Sequence, residues 1–266
     1  MLFRSLATAN YEIASTQTKE LACETVGDGA MAEPIEIFWN TARILMKNSF
    51  WSDRHVIVTG GGTIERLDDV RYISNFSSGK MASALATALY VRGADVNLIS
   101  TRFEADLPNA MHTISLESSE QMETCITDSL GIAKKDKEPF LFMAAAVSDY
   151  IPTLTQSGKL KKETLGDTWE IGMKKNRDII ATIKKEGIKT IAFKAEMDVA
   201  NATQNAKNLL VNKGVDAVCL NIINENNAFG SDTNIIDFIS KNKTVTFPQA
   251  DKLTLSLNII EQASAL

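Results

Sequence analysis

From His55 to the C-terminus, short apolar runs alternate with amphipathic segments along the chain. The apolar runs are rich in β-branched residues and too short for helices, so we interpret them as buried strands. The predicted strands are residues 56–59, 96–99, 113–116, 140–146, 190–193 and 217–220. The amphipathic segments predict helices at residues 80–91, 118–130, 178–185 and 200–211. This alternation predicts an α/β protein with a mostly parallel sheet and helices on both faces.

The two ends of the chain depart from this alternation. Near the C-terminus, residues 234–240 and 244–247 flank a polar turn and predict a short β-hairpin, followed by a helix over residues 253–263. Residues 1–50 are polar and weakly periodic, apart from an amphipathic run that predicts one helix over residues 35–47. Because so small a core is marginal alone, we predict an N-terminal appendage (1–50) and a Rossmann-like main domain (51–266).

Charge and composition narrow the function classes. The 266 residues carry 28 basic and 33 acidic side chains, a net charge of −5, so no nucleic-acid partner is expected. No apolar run approaches the ~18 residues of a membrane span, and the N-terminus lacks the apolar core of a signal peptide. Three widely spaced cysteines, Cys23, Cys125 and Cys219, indicate a reducing compartment rather than a disulfide framework. We therefore expect a cytoplasmic protein without membrane contact.

Three predicted strands are followed by long polar or glycine-rich segments, at residues 60–79, 148–162 and 221–234. Such loops lie at the carboxyl ends of strands, where α/β proteins bind anions on backbone amides and helix N-termini. The first loop is too long for a dinucleotide fingerprint, and Met81 replaces the Ser or Thr of a Walker loop. Ser77, Ser78 and Gly79 can therefore bind a phosphate at the start of the next helix, or simply cap that helix.

Other polar residues in these regions have two interpretations each. Asn75 can bind an acyl oxygen, or it can be a turn residue. Lys159, with two further lysines close behind it, can neutralise a triphosphate or belong to the solvated surface. Asp149 can bind a ribose, a base edge or a metal, or it can cap a turn. Asp178, which follows Arg177, marks either a phosphate-binding helix start or an ordinary N-cap.

Several of these stretches together resemble one family, the bacterial phosphopantothenoylcysteine synthetases. The longest matching motif is TIERLDDVRYISNFSSGKM, residues 63–81. Further matches are residues 144–150, 159–162, 175–180, 192–196 and 229–232. The resemblance implies a CTP-dependent ligase of coenzyme A biosynthesis that works with Mg²⁺. In that family 4′-phosphopantothenate attacks CTP to give an acyl-cytidylate and pyrophosphate, and L-cysteine then displaces CMP.

Matched position by position, the resemblance implies roles for individual residues. Asn75 matches the asparagine needed to turn over the acyl-cytidylate, and Lys159 matches the lysine needed to form it. The positions implied to bind the nucleotide are Ala144, Ala145, Asp149, Lys159, Arg177, Asp178, Ile179, Ile180, Phe193, Lys207 and Lys213. The positions implied to bind phosphate or substrate are Ser77, Ser78 and Gly79.

Two of these positions depart from the family pattern. Arg177 stands where the family often has proline. Leu209 stands four residues before Lys213, where the family usually has the partner of that lysine, and Lys207 is the candidate replacement. One phosphate contact is therefore either moved to Lys207 or absent.

The appendage has a resemblance of its own. Residues 21–34 are similar to the C-terminal clamp of phosphopantothenoylcysteine decarboxylase, the FMN enzyme often fused ahead of the synthetase, and Cys23 matches its catalytic cysteine. Glu24 and Ala30 stand where that family usually has glycine and arginine. We therefore expect no decarboxylase activity from this chain alone, and FMN only with a complete decarboxylase domain or partner.

Other interpretations stay open from the sequence. A nicotinamide- or flavin-binding oxidoreductase can use a similar sheet, and a non-catalytic subunit of a split bifunctional enzyme can retain the motifs. The preference for CTP over ATP rests on the resemblance alone. The resemblance also implies a homodimer with residues 148–162 as an arm. We expect Asn75 and Lys159 to meet in one pocket.

Overall fold

The computed structural model describes residues 11–20, 24–133, 136–224 and 229–266. Cys23 lies outside these ranges. In chain order they contain β1 (Gln17–Glu20), β2 (Val26–Ala30), α1 (Pro34–Met46), β3 (His55–Gly60), β4 (Ile64–Arg66), β5 (Tyr72–Ser74), α2 (Lys80–Val91), β6 (Asp95–Ser100), β7 (His112–Ser115), α3 (Ser119–Ile132), β8 (Phe140–Met143), β9 (Tyr150–Pro152), α4 (Lys162–Leu165), β10 (Met173–Lys175), α5 (Ile179–Thr182), β11 (Lys189–Glu196), α6 (Ala202–Lys213), β12 (Ala217–Ile222), β13 (Thr233–Ser240), β14 (Thr244–Asp251) and α7 (Lys252–Ala263).

An eight-stranded sheet forms the centre of the molecule, in the order β14-β13-β12-β11-β8-β3-β6-β7. The six strands from β12 to β7 are parallel, with Val58 opposite Leu98 on one side and Phe142 on the other. Numbered along the chain, these six strands lie in the order 3-2-1-4-5-6. Their order therefore reverses between β3 and β8, which is where open α/β sheets bind ligands. The prediction of a Rossmann-like, mostly parallel sheet is confirmed.

Alternate side chains of the strands enter separate cores on the two faces. Val56 and Val58 of β3 pack in the cluster that contains α2 and α7, whereas Ile57 packs with Met122 of α3. A third cluster joins Val218 of β12 to α6. Helices therefore cover both faces of the sheet, as the apolar strand sequences predict.

The predicted C-terminal hairpin is present as β13 and β14, but it is not a short addition. Both strands have eight residues, and β13 pairs antiparallel with β12, so the hairpin extends the main sheet. Asp251 caps the following helix α7 by accepting hydrogen bonds from Thr254 N at 2.9 Å and Thr254 Oγ1 at 2.6 Å. Helix α7 then packs against α2.

Two elements, β8 and α5, are shorter in the structure than the sequence predicts. Strand β8 ends at Met143 rather than at residue 146, because its ladder with β3 is interrupted at the next two residues, where Ala145 N donates to the side chain of Thr59 (Oγ1) at 3.3 Å. Ala146 pairs with the segment after β3 only as an isolated bridge. Helix α5 ends at Thr182 rather than at residue 185. The next residue continues into the α3 core with an extended backbone, which removes it from the helix.

The N-terminal region contributes the β1–β2 hairpin and the predicted helix α1. Arg43 docks α1 onto the end of α2, because its guanidinium donates to Gly93 O at 2.9 Å and Ala94 O at 3.1 Å. The same guanidinium lies 4.4 Å from the centre of the Tyr90 ring. Among the described residues, no helix combines the length and the apolar character that crossing a bilayer requires.

Candidate functional site

A crevice lies at the carboxyl ends of β3 and β8, where the strand order reverses. Gly62 and Ala146 form a parallel bridge there, which joins the glycine-rich loop to the turn after β8. A Cβ atom on Gly62 would lie 2.4 Å from the carbonyl oxygen of Asn75, so only glycine permits this approach. Asn75 is thereby seated beside the turn, and its Nδ2 donates to Val147 O at 3.1 Å.

The segment that leads to Asn75 is a hairpin rather than a plain loop. Strands β4 and β5 pair antiparallel, with Ile64 opposite Ser74. Asn75 therefore follows directly after a paired strand. This pairing explains why the segment between β3 and α2 is much longer than a dinucleotide-binding loop.

Helix α2 begins at Lys80, directly after Gly79, which has a left-handed backbone with φ of +77°. Gly79 has no side chain to cap the helix, and Ser78 Oγ accepts only a long hydrogen bond of 3.4 Å from Lys80 N. The start of α2 therefore keeps backbone donors at the edge of the crevice, as an anion site requires.

One cleft of about 180 Å³ collects many of the predicted residues. Its lining includes Ser77, Ser78, Gly79, Ala144, Ala145 and Phe193. These residues come from the start of α2, the turn after β8 and strand β11. The cleft thus combines helix-start amides with small side chains and one aromatic wall, which suits a phosphorylated small molecule.

Two lysines that the sequence analysis did not single out also line this cleft. Lys194 is paired with Glu196 at 3.0 Å. Burial is the main cause that lowers the pKa of Lys252, and the positive charge of the nearby Lys80 lowers it further. Lys80 itself forms an ion pair with Asp232 at 2.5 Å. The sequence could have pointed to Lys252, because it is the first residue of the helix that follows β14. Strands β14 and β12 run in the same direction, so both end at the edge of the sheet where the cleft lies.

The turn after β8 is tied to the segment before α5 through Asn176. The backbone N–H of Asn176 donates to Asp149 O at 2.8 Å. Its side chain donates to Ser148 O at 2.8 Å and to Ser119 Oγ at 2.9 Å. Asn176 therefore holds the backbone of Asp149, whose own side chain is exposed.

Five residues implied to bind the nucleotide lie around α5, outside this cleft: Arg177, Asp178, Ile179, Ile180 and Lys213. Asp178 caps α5 by accepting from Ala181 N at 3.1 Å, and it also pairs with Lys213. Arg177 and Ile179 line a second cleft, of about 670 Å³. The interpretation of Asp178 as an N-cap is therefore confirmed, and the ammonium group of Lys213 forms an ion pair with the same carboxylate.

Lys159 lines neither cleft. It is exposed on the segment between β9 and β10, which rests against the β4–β5 hairpin. Lys207 is exposed on α6 and also lines neither cleft. Asn75 does not line the first cleft itself, but the next residue, Phe76, does. The structure thus gathers the phosphate residues predicted from the first loop, but it does not bring Lys159 to them, and the shared pocket stays a prediction.

Comparison with known proteins assigns the chain to a family. Residues 51–266 match the family described as "DNA/pantothenate metabolism flavoprotein C-terminal domain". The chain belongs to this family. It is 31% identical over 266 residues to the "Coenzyme A biosynthesis bifunctional protein CoaBC" of Vibrio vulnificus (strain CMCP6). The aligned region covers 98% of this chain but spans only 64% of the length of that relative.

Solved structures share the fold of this family member. The C-terminal domain of a CoaBC protein superposes with a TM-score of 0.66 and 24% identity, covering 82% of this chain and 97% of that one. A Cab2 mutant in complex with phosphopantothenate-cysteine superposes with a TM-score of 0.63 and 14% identity, covering 88% of this chain and 94% of that one. At these identities the likeness establishes the fold alone.

Residues 11–20, 24–133, 136–224 and 229–266 contain no group of three or more His, Cys, Asp or Glu side chains placed to hold a metal ion. Mg²⁺ in nucleotide enzymes is commonly held by substrate phosphates and one or two carboxylates, without an all-protein cage.

Proposed function

We propose that this chain is a cytoplasmic ligase that joins 4′-phosphopantothenate to L-cysteine, with CTP as co-substrate, in coenzyme A biosynthesis. The observation that carries the proposal is the cleft at the strand-order reversal, where the start of α2, the turn after β8 and Lys252 converge. Membership of the pantothenate-metabolism family and the name of the Vibrio vulnificus relative support the same conclusion.

The first step brings anions together. A carboxylate oxygen of phosphopantothenate attacks the α-phosphorus of CTP, the α–β phosphoanhydride bond breaks, and pyrophosphate leaves with the electron pair. Repulsion between the reactants opposes this attack, so lysines and helix-start amides stabilise its transition state. A carboxylate needs no general base, which agrees with a chain that has only two histidines. Mg²⁺ bound to the phosphates of CTP would shield part of their charge.

The second step forms the amide. The amine of L-cysteine attacks the acyl carbon of the acyl-cytidylate, the bond from that carbon to the phosphate oxygen breaks, CMP leaves, and the amine nitrogen loses a proton. Asn75 can donate to the acyl group without adding charge, and it is held beside the turn after β8 by Val147. We assign Asn75 to this step and Lys159 to the first.

A pyrophosphate-release assay with each of the four common nucleoside triphosphates tests the proposal. We expect release only when CTP and phosphopantothenate are both present. Asn75→Asp should accumulate the acyl-cytidylate, whereas Lys159→Gln should slow its formation by about 100-fold or more. Lys241→Gln, in the exposed turn of the β13–β14 hairpin, is the matched control and should behave as wild type.

Three results would count against parts of this proposal. Failure to release pyrophosphate with any of the four triphosphates would overturn the ligase, and release with ATP in place of CTP would correct the co-substrate. Normal turnover of both site variants would show that Asn75 and Lys159 are wrongly assigned. Cys23→Ser should leave ligase turnover unchanged, since Cys23 is matched only to the decarboxylase.

A further inference from the structure

Two consecutive carboxylates hold the backbone on either side of Lys159. Asp69 Oδ2 accepts a hydrogen bond from Gly158 N at 2.8 Å. Asp68 Oδ2 accepts one from Leu160 N at 3.1 Å. Both carboxylates lie in the turn that connects β4 to β5. The backbone that carries Lys159 is therefore fastened to this turn at both neighbouring residues.

Asp68 is buried and surrounded by donors. Its Oδ1 accepts from Val70 N at 2.8 Å and Arg71 N at 2.7 Å. Its Oδ2 accepts from Leu160 N and also from the Arg71 guanidinium, at 3.0 Å from Nε and 2.8 Å from Nη2. The side chain of Asp68 has no exposed surface. A buried charge persists only with such complete pairing, so the local structure depends on this carboxylate.

Arg71 extends the fastening to the rest of the segment between β9 and β10. Its Nη2 donates to Leu160 O at 2.6 Å, so Leu160 is held through both its N–H and its carbonyl. The Arg71 guanidinium also lies 4.8 Å from the centre of the Trp169 ring. We call the set Asp68, Asp69 and Arg71 the clasp.

The clasp and Asn75 belong to the same hairpin. The clasp occupies its turn, and Asn75 follows the last residue of β5. We infer that Asp68 is a positioning residue that fixes the segment carrying Lys159 to the hairpin carrying Asn75, so that both half-reactions are set by one rigid element. The inference rests on the proposed ligase function, since it assigns Asp68 to the step that Lys159 serves.

Asp68→Asn is the variant that opens the clasp. All five groups that contact the Asp68 carboxylate are hydrogen-bond donors. Whichever way the asparagine amide is turned, its NH2 group, itself a donor, therefore faces other donors. Asp216→Asn is the matched control, because Asp216 Oδ2 also accepts a backbone hydrogen bond, from Thr190 N at 2.8 Å, and Oδ1 pairs with Lys189 at 3.5 Å. Asp216 precedes β12 at the amino ends of the strands, opposite the crevice, so the control loses a carboxylate contact and keeps the clasp.

Single-turnover kinetics separate a positioning role from a purely structural one. In Asp68→Asn we expect pyrophosphate release to slow by about 10- to 100-fold, the scale of a misplaced catalytic group. The reaction of preformed acyl-cytidylate with L-cysteine should stay within about twofold of wild type. Asp216→Asn should leave both rates unchanged. Limited trypsin digestion should cut after Lys159 about tenfold faster in Asp68→Asn, the scale of one lost net hydrogen bond.

The outcomes discriminate between the two proposals. Equal slowing of both steps, together with a lower melting temperature, would make Asp68 a stability residue and overturn the inference. Unchanged pyrophosphate release or unchanged proteolysis in Asp68→Asn would also overturn it. If wild type releases no pyrophosphate with any triphosphate, the proposed function fails and the catalytic role of Asp68 fails with it, whereas the proteolysis rates still test the clasp itself.

Discussion

At the scale of single residues, Asp68 shows how hydrogen bonding can outweigh burial. Burial alone would raise the pKa of this carboxyl group. The backbone amides of Val70, Arg71 and Leu160, together with the Arg71 side chain, favour the charged form and lower the pKa to about 2 from its ordinary 3.8. The native protein therefore holds the Asp68 charge more tightly than the unfolded chain does.

This difference predicts a specific pH dependence of stability. Because the folded pKa is depressed, the stabilisation from Asp68 is fully present above about pH 4 and is lost as the pH falls from about 4 towards 2. The measurement is the difference in urea midpoint between wild type and Asp68→Asn at several pH values. We expect a constant difference from pH 8 down to about pH 4.5 and a shrinking one below that. If the difference in urea midpoint already shrinks between pH 8 and 6, the pH dependence comes from another titrating group and not from the Asp68 carboxyl group.

The site residues that could be predicted were those fixed by strand ends. Ser77 and Gly79 reach the cleft because parallel strands bring the segments that follow them to one edge of the sheet. Ala145 and Phe193 line the same cleft, but only the family resemblance had pointed to them. The position of Lys159 could not be obtained this way, since it depends on hydrogen bonds between two segments that are far apart in the sequence.

At the scale of elements, the start of α2 depends on a glycine for two separable reasons. Gly79 has φ of +77°, and a Cβ atom there would lie 2.5 Å from Arg102 O. Gly214, which ends α6, has φ of +59° with nothing within 4 Å of the same atom. The pair thus isolates the effect of the close approach from the effect of the left-handed backbone.

Substituting alanine at each glycine should give unequal losses of stability. Gly214→Ala should cost about 1–2 kcal/mol, the left-handed penalty of an L-residue. Gly79→Ala should cost clearly more, because the carbonyl of Arg102 must also move. Urea unfolding without ligands measures both free energies. Equal losses would mean that the strand–helix junction relaxes freely, and that the start of α2 is less rigid than an anion site needs.

The success of the element predictions depended on length and burial. Helix α2 was predicted at its observed bounds, because Gly79 and Gly93 mark its ends and its apolar positions are regular. Strands β1 and β2 were missed in the N-terminal region, and so were β4, β5, β9 and β10 in the main domain. Each of the last four has three residues that are mostly not buried, and a period of two cannot be detected over so short a length. Their pairing is decided by contacts across the hairpins.

At the scale of the whole molecule, large apolar side chains are exposed on the two small hairpins that flank the site. Phe76, which follows β5, is 84% exposed, and Leu154, which follows β9, is 71% exposed. Tyr72 and Tyr150, on β5 and β9, are also exposed. Strands β4 and β9 contact each other, so the two hairpins that carry or adjoin these side chains are neighbours. Exposed apolar groups gathered in this way are typical of a protein interface.

We therefore predict a homodimer in which the two hairpins of one copy pack against those of the other, in the two-fold arrangement most common for dimers. Sedimentation equilibrium should give about twice the 29.1 kDa chain mass. Leu154→Asp should shift the protein towards the monomer, because it puts a charge into the apolar contact. Val211→Asp is the matched control, since Val211 is 74% exposed on α6, which belongs to neither hairpin, and should leave the dimer intact. A monomeric wild type, or equal dissociation of the two variants, would contradict this interface, and the exposed hairpins would then have to be covered by something other than a second copy.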